Sequence, residues 1–323
     1  MSHLLQAVGF GLATASIVAL AAVAVSLQVS VTNFFNFAFG DFMTLGAYVA
    51  WTANTHGVNF YLAVLLGGIA VGVLGVLANY LVFRPFMRRG VRPVTLLIAG
   101  VGLSFLVQNA LIIIWSPGPR RFSLNLGNAL HLGPFLLTPG DLIMIGASAA
   151  LLLLLHVLLT YTKFGKAIRA TSNNIDLARA CGIDSDWVIS LTWFIAGLLT
   201  AFAGVGLVLQ ESTLSPTTGF TELFVIFGAV ILGGIGRPYG AMLGAVIVGL
   251  LTEVAGAYMN AAYKTSIAFG VVVLLLLLRP QGLIRARGLI SLCSISLPTR
   301  SSSGASTPSW WSASTCSTAT AAC

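Results

Sequence analysis

Charged side chains are scarce in this sequence of 323 residues, in which they make up 7% of the total while 57% are hydrophobic. A soluble domain carries about 25% charged residues, so the composition argues strongly against a soluble fold. Several apolar stretches lack the polar face that a soluble helix needs, and most are long enough to cross a bilayer, which takes about 20 residues. They are residues 7–29, 58–83, 94–115, 142–160, 188–209 and 267–278.

The sequence therefore predicts an all-α, polytopic membrane protein with about eight transmembrane segments, one or two of them broken or re-entrant. We assign residues 1–287 to the transmembrane domain and residues 288–323 to a tail rich in Ser, Thr and Ala. Such a tail is predicted to be disordered, because it has neither helical periodicity nor an apolar span. A genuine low-complexity tail and a reading-frame slip in the gene both fit this composition.

Several motifs and site types are missing. The chain has no G-x-x-x-x-G-K-[ST] motif, so it is not expected to hold ATP in a P-loop. We predict no catalytic residue and no metal site, and the four cysteines suggest no disulfide framework. The net charge of +8 would suggest nucleic acid in a soluble chain, but here we assign it to cytoplasmic loops and expect no nucleic-acid partner.

Basic residues concentrate in three segments, at 84–92, 163–179 and 279–287. By the positive-inside rule these segments face the cytoplasm, which makes the loops at 116–138 and 211–221 external. The side of the N-terminus stays open at this point, because residues 33–48 fit either a full span or a broken one.

The first interrupted apolar region contains Asn33, Asn36 and Asp41 among aromatic residues. An acidic residue inside a membrane is costly and usually functional or paired, so we place these three residues on a translocation path. The alternative is that Asp41 lies near the membrane surface and caps a helix. Helical spacing would give a polar, small face made of Asn33, Phe37 and Gly40, or of Asn36, Gly40 and Met43.

The second interrupted region contains Gly233, Gly234, Gly236 and Pro238. This composition is hard to reconcile with a continuous helix, so we expect a discontinuous helix or a tight turn between two half-spans, and we add the three glycines to the predicted path. An ordinary surface turn is the alternative. Gly240 and Gly244 form a G-x-x-x-G pair, which allows close helix packing.

A hydrophilic loop at residues 161–187 separates two long apolar runs. Its sequence from Asp176 predicts a short helix that ends at Gly182, where glycine can take the left-handed C-cap conformation. Such a helix fits a groove on a cytosolic partner. It equally fits an amphipathic helix that lies on anionic lipid.

Four motifs in order along the chain resemble the permease subunits of bacterial ATP-binding-cassette importers, specifically the shorter, first-subunit type of the branched-chain amino acid permease family. They are NFAFGDFMTLGAYVA (36–50), TKFGKAIRATSNNIDLARACGID (162–184), ILGGIGRPYGAMLGA (231–245) and RPQGL (279–283). In that family the second motif is the coupling loop that contacts the ATPase. The resemblance thus implies an ATPase-coupling role for Asp176, Leu177, Ala178, Arg179, Ala180 and Gly182. Leu177 replaces an Ala of the family motif, and Phe39 stands where the family commonly has His.

The resemblance implies a non-enzymatic permease in the bacterial inner membrane that imports branched-chain amino acids, or similar solutes such as urea or amides, by alternating access. It implies cytosolic ATPase subunits, a second permease that forms a heterodimer with this chain, and an external solute-binding protein as partners. ATP would be bound on the ATPase and no cofactor on this chain. The competing interpretation is an ion- or proton-coupled transporter or channel, for which Asp41, Glu222 and Glu253 are the candidate ionisable groups.

Overall fold

The computed structural model describes residues 2–122, 130–132, 135–258, 270 and 273. These residues form α-helices joined by turns, with one antiparallel pair of short strands, β1 (Leu130–Leu132) and β2 (Phe135–Leu137). A π-helical segment, Asn79–Phe83, joins α3 to α4. The α-helices are α1 (Ser2–Thr32), α2 (Phe39–Thr55), α3 (Phe60–Ala78), α4 (Arg84–Arg88), α5 (Pro93–Trp115), α6 (Pro139–Tyr161), α7 (Lys163–Asn173), α8 (Ile175–Ala180), α9 (Ser185–Glu211), α10 (Thr218–Gly233) and α11 (Pro238–Tyr258).

The described part of the chain contains 6 helices that are long and apolar enough to cross a membrane. They are α1, α3 with its extension to Arg88, α5, α6, α9 and α11. This confirms the polytopic helical fold. Helices α2 and α10 are shorter, with 17 and 16 residues, and the predicted span at 267–278 lies outside the described residues apart from two positions. The count of about eight therefore stays a prediction.

Helices α1 and α9 are the most enclosed of the long helices, whereas α5 and α6 expose most of their surface. Small residues on α9 permit this burial. A Cβ atom at Gly197 would lie 2.9 Å from the Cα of Gly72 on α3, so the two backbones are in direct contact. Gly204 similarly packs on the backbone of Met43 in α2. Such close approach is how helices gain packing energy in lipid, where the hydrophobic effect between them is lost.

The direction of α1 follows from the contacts at its two ends. In its N-terminal half, Thr14 accepts a hydrogen bond from Gln210 at the end of α9. Near its end, Ser30 lines a small cavity together with Gly165 of α7 and Gly236. Since the basic segments at α4 and α7 are cytoplasmic by the positive-inside rule, α9 ends on the external side and α1 starts there.

The first interruption is a break between α1 and α2. Asn33 has a left-handed φ of 57°, and its N–H donates to the carbonyl of Val29 at 2.8 Å, so it terminates α1. Because the chain leaves the helix between Asn33 and α2, the helical spacing expected for Asn33, Phe37 and Gly40 is wrong. Residues 33–48 thus form a broken segment and not one continuous span.

The second interruption is a tight turn between α10 and α11. Gly234 and Gly236 have φ values of 105° and 73°, which side chains with a Cβ atom rarely adopt. Gly233 packs directly on the carbonyl of Gly240, and Gly244 packs on the backbone of Ala229. The interruption is thus a tight turn, which fits both the turn between half-spans and the surface turn that the sequence allows. The G-x-x-x-G pair holds the two helices together.

Candidate functional site

Local sequence determines both ends of α8, the short helix of the hydrophilic loop. The side chain of Asn174 accepts hydrogen bonds from the N–H groups of Asp176 and Leu177 at 3.0 and 3.1 Å, which caps the first turn. At the other end, the N–H of Gly182 donates to Arg179 and that of Ile183 to Ala178, both at 3.0 Å. This is a Schellman motif, with Gly182 at a left-handed φ of 83°. The predicted helix end at Gly182 is confirmed.

The side chains of α8 divide between the protein interior and the solvent. Leu177 is 58% exposed, and Ala180 is also exposed. Ala178 is 3% exposed, because its side chain points into this chain. Of the two alanines, Ala180 is therefore the one available to a partner, and Leu177 is the large apolar side chain beside it.

Helix α7 has one buried face and one basic face. Gly165, Ile168 and Thr171 are buried, whereas the cationic residues are exposed. The exposed cations are Lys163, Lys166 and Arg169. This amphipathic arrangement fits a helix at the membrane surface, where a basic face contacts anionic lipid or protein. The two interpretations of the loop thus apply to neighbouring helices: α7 fits contact with lipid, and α8 fits contact with a protein partner.

Asp186, in the first turn of α9, accepts hydrogen bonds from three arginines. Arg84 donates to Oδ2, as does Arg88 at 3.0 Å, and Arg179 donates to Oδ1 at 3.2 Å. Two of these arginines belong to α4 and one to α8. The carboxylate therefore links the first cytoplasmic loop to the helix that carries Leu177.

A second acidic site lies within the membrane-spanning part. Asp41 is 0% exposed and accepts hydrogen bonds from Ser104 and, at 3.0 Å, from the Nε2 atom of Gln108. It lies in the first turn of α2, where the helix dipole favours negative charge, but it makes no cap. Of the two sequence interpretations, the buried and paired aspartate is the one observed.

The predicted path residues do not form one group. Asn36 is buried beside Gly100 of α5, next to the Asp41 cluster, and its side-chain oxygen accepts from the N–H of Ala38 at 3.1 Å. Asn33 is exposed at the end of α1. The three glycines lie in the α10–α11 hairpin, where Gly236 rests against Ser30. The structure thus brings Asn36 and Asp41 together and leaves the other four path residues elsewhere.

Sequence reasoning missed the partners of both acidic residues. Ser104 and Gln108 follow Gly100 at intervals of four in an apolar run, and this spacing places all three on one helix face. That stripe of polar and small residues was a usable signal. The sequence signal for the partners of Asp186 was weaker: it is an acidic residue that lies between basic segments on the same side of the membrane.

The sequence of this chain is similar to those of known transport permeases. The family described as branched-chain amino acid transport system, permease component, matches residues 7–278. BraD, a high-affinity branched-chain amino acid transport permease of Pseudomonas aeruginosa, is 27% identical over 87% of this chain and 96% of its own length. LivH of Escherichia coli K12 is 28% identical with the same coverage. A probable LivH of Methanocaldococcus jannaschii is 28% identical over 85% of this chain and 88% of its own.

Proposed function

We propose that this chain, which belongs to the branched-chain amino acid transport permease family, carries branched-chain amino acids across the inner membrane. The chain is a permease subunit of an ATP-binding-cassette importer and not an enzyme, since members of this family are membrane components that work with separate ATP-binding subunits and a solute-binding protein. Family membership thus favours the importer over the ion-coupled transporter or channel.

Branched-chain amino acids are the proposed cargo because the relatives that match nearly their whole length are named for that cargo. Short amides and urea are the second candidates. The translocation path would run past Asn36 and Asp41, and the burial of both polar side chains beside α5 supports this proposal. Asn33 and the hairpin glycines would shape that path by allowing the backbone turns that end α1 and join α10 to α11.

We assign the contact with the ATPase to α8. Leu177, Asp176 and Ala180 are exposed on one short capped helix, and the Asp186 ion pairs connect that helix to α4 and α9. Gly182 ends the helix, Arg179 joins it to Asp186, and Ala178 anchors it from inside. A push on α8 by the ATPase would then reach both neighbouring elements.

The remaining subunits follow from this assignment. ATP would bind the ATPase alone, with no cofactor on this chain, and a second, different permease chain would complete the pathway. Size-exclusion chromatography with mass analysis of the purified importer tests the heterodimer. Two copies of this chain in the absence of any second permease would contradict it.

Uptake by reconstituted proteoliposomes tests the cargo. The complete importer is assembled in proteoliposomes from this chain and its cognate subunits. It should accumulate radiolabelled L-leucine only when ATP is supplied on the side of the membrane where the ATPase lies. Unlabelled isoleucine and valine should compete, whereas urea and acetamide should not. Uptake of urea without uptake of leucine would overturn the cargo and leave the importer class intact.

A further inference from the structure

A cavity of about 590 Å³ lies on the cytoplasmic side of the protein, on the inner face of α8. Ile175 and Arg179 of α8 line it from one side, and the π-helical segment, α4 and the start of α9 close the others. Ile175 and Arg179 are four residues apart and share one helix face, while Leu177 points away from that face. The cavity is therefore distinct from the surface of α8 that we assign to the ATPase, and its volume is in the range of small-molecule sites, about 300–1,000 Å³.

Two residues that line this cavity each carry a buried polar atom with no hydrogen-bond partner among the described residues. Asn79 is 3% exposed, and its Oδ1 atom, an acceptor, is unpaired. The Nε–H group of Arg84, a donor, is also buried and unpaired. Leaving such groups unsatisfied is costly, so an unpaired donor and an unpaired acceptor on two residues that line one cavity favour a ligand that offers both an acceptor and a donor. Asn79 also begins the π-helical segment, a feature often found at functional sites.

The other lining residues sort into three chemical groups. Arg84, Arg88 and Arg179 supply cationic donors beyond those that Asp186 uses. Asp184 and Asp186 supply negative charge. The apolar side chains are Met87, Ile175 and Ile189. Positive charge, negative charge and an aliphatic wall together match a small zwitterion that carries a branched aliphatic group.

We propose that this cavity binds a free aliphatic amino acid from the cytoplasm, with its carboxylate on the Arg84 side, its ammonium group on Asn79 Oδ1 and the aspartates, and its side chain against the apolar residues. The proposal rests on the proposed function, because the ligand is then the imported product. An occupant would join α8 to α4 and α9 and so resist displacement of α8. The site would thereby slow import when the product accumulates inside.

A phosphoethanolamine lipid head group shares the anionic group and the ammonium group, but it has no aliphatic branch to cover the isoleucines. Binding measurements can separate the two sources. The full chain is placed in nanodiscs of phosphatidylcholine alone, and tritiated L-leucine is titrated against it. L-Leucinamide, which lacks the carboxylate, and 4-methylpentanoate, which lacks the ammonium group, should compete poorly. Glycerophosphoethanolamine should not compete.

Variants locate the bound leucine. Asn79→Leu removes the unpaired acceptor with little change in size, and Arg84→Gln removes the unpaired donor. Each should weaken leucine binding about tenfold, the loss expected for one buried hydrogen bond to a charged group. Arg89→Gln is the matched control: Arg89 belongs to the same loop and lines a neighbouring surface groove together with Arg84 and Arg88, but it does not line the cavity. Its affinity should equal that of the wild type.

Three outcomes would overturn the site: no leucine binding, leucine binding that Asn79→Leu leaves unchanged, or competition by glycerophosphoethanolamine equal to that by leucine. Because Arg84→Gln also removes an ion pair, Ile189→Phe, which fills the cavity, provides a second route to lost binding. Proteoliposome uptake keeps the two proposals separate. Leucine uptake without leucine binding in this cavity rejects the cavity alone, whereas absent uptake rejects the cargo.

Discussion

Replacing Asp186 with Asn would remove an acceptor that three arginines share. The substitution keeps the size of the side chain but leaves Arg84, Arg88 and Arg179 without the negative charge that holds them together. Since these residues come from α4 and α8, the change should loosen the attachment of α8 to the rest of the protein.

The loss of stability expected for Asp186→Asn depends on how far water reaches each of the three ion pairs. The side chains of Arg88 and Arg179 are 64% and 51% exposed, so each of their pairs is worth about 0.2–1 kcal/mol. Arg84 is 27% exposed, and its hydrogen bond to a charged group in this drier place should contribute about 1–2 kcal/mol. Asp186→Asn should therefore cost roughly 2 kcal/mol, with Arg84 responsible for the largest part.

Thermal unfolding of the purified chain measures this cost. The wild type should melt at a lower temperature in about 0.5 M NaCl than in about 0.05 M, because salt screens the exposed pairs, whereas Asp186→Asn should lose most of this dependence. Double-mutant cycles with each Arg→Gln variant should give the largest coupling energy for Arg84. An unchanged melting temperature in Asp186→Asn, or equal coupling for all three arginines, would refute the ion-pair argument.

Further substitutions test α8 and the buried acid. Leu177→Asp should lower co-purification of the ATPase subunit and leave the melting temperature of the chain unchanged. Ala178→Trp should lower that melting temperature, because Ala178 is buried. Recovery of the ATPase with Leu177→Asp equal to that with the wild type would reject the docking face. Gly182→Ala should destabilise the helix end by about 1–2 kcal/mol, as a side chain at positive φ does, with the C-terminal loop of α8 exchanging amide hydrogens faster. Asp41→Leu should cost about 1–3 kcal/mol by leaving Ser104 and Gln108 unpaired, while Asp41→Asn, which keeps an acceptor, should cost less in the same melting assay.

Features that depend on neighbours in sequence could be predicted. The end of α8 at Gly182 and the turn at Gly234 and Gly236 both require glycine at positive φ, and nearby residues supply the rest of each motif. Long apolar runs likewise identified five of the 6 candidate spans, α1, α3, α5, α6 and α9, because in lipid each span must satisfy its own backbone hydrogen bonds.

Features that depend on which helix faces meet could not be predicted. The partners of Asp41 lie 63 and 67 residues further along the chain, and periodicity describes the face of each helix without pairing the two faces. Ala178 shows the same limit on a smaller scale. Alanine is small enough either to lie flush with a partner or to pack inside, and only the packing of α8 on the rest of the chain decides that it packs inside.

The two acidic residues also show why the protein can hold one contact firmly and leave another free to move. Asp41, enclosed among membrane helices, is paired with neutral donors, since a cation at that depth would add its own desolvation cost. Asp186, at the cytoplasmic end of α9, is paired with arginines that remain partly in water. Water and salt can substitute for the partners of Asp186 more readily than for those of Asp41, which is 0% exposed. The α2–α5 contact should therefore persist throughout transport, while the attachment of α8 is the one that a partner or a ligand can shift at low cost.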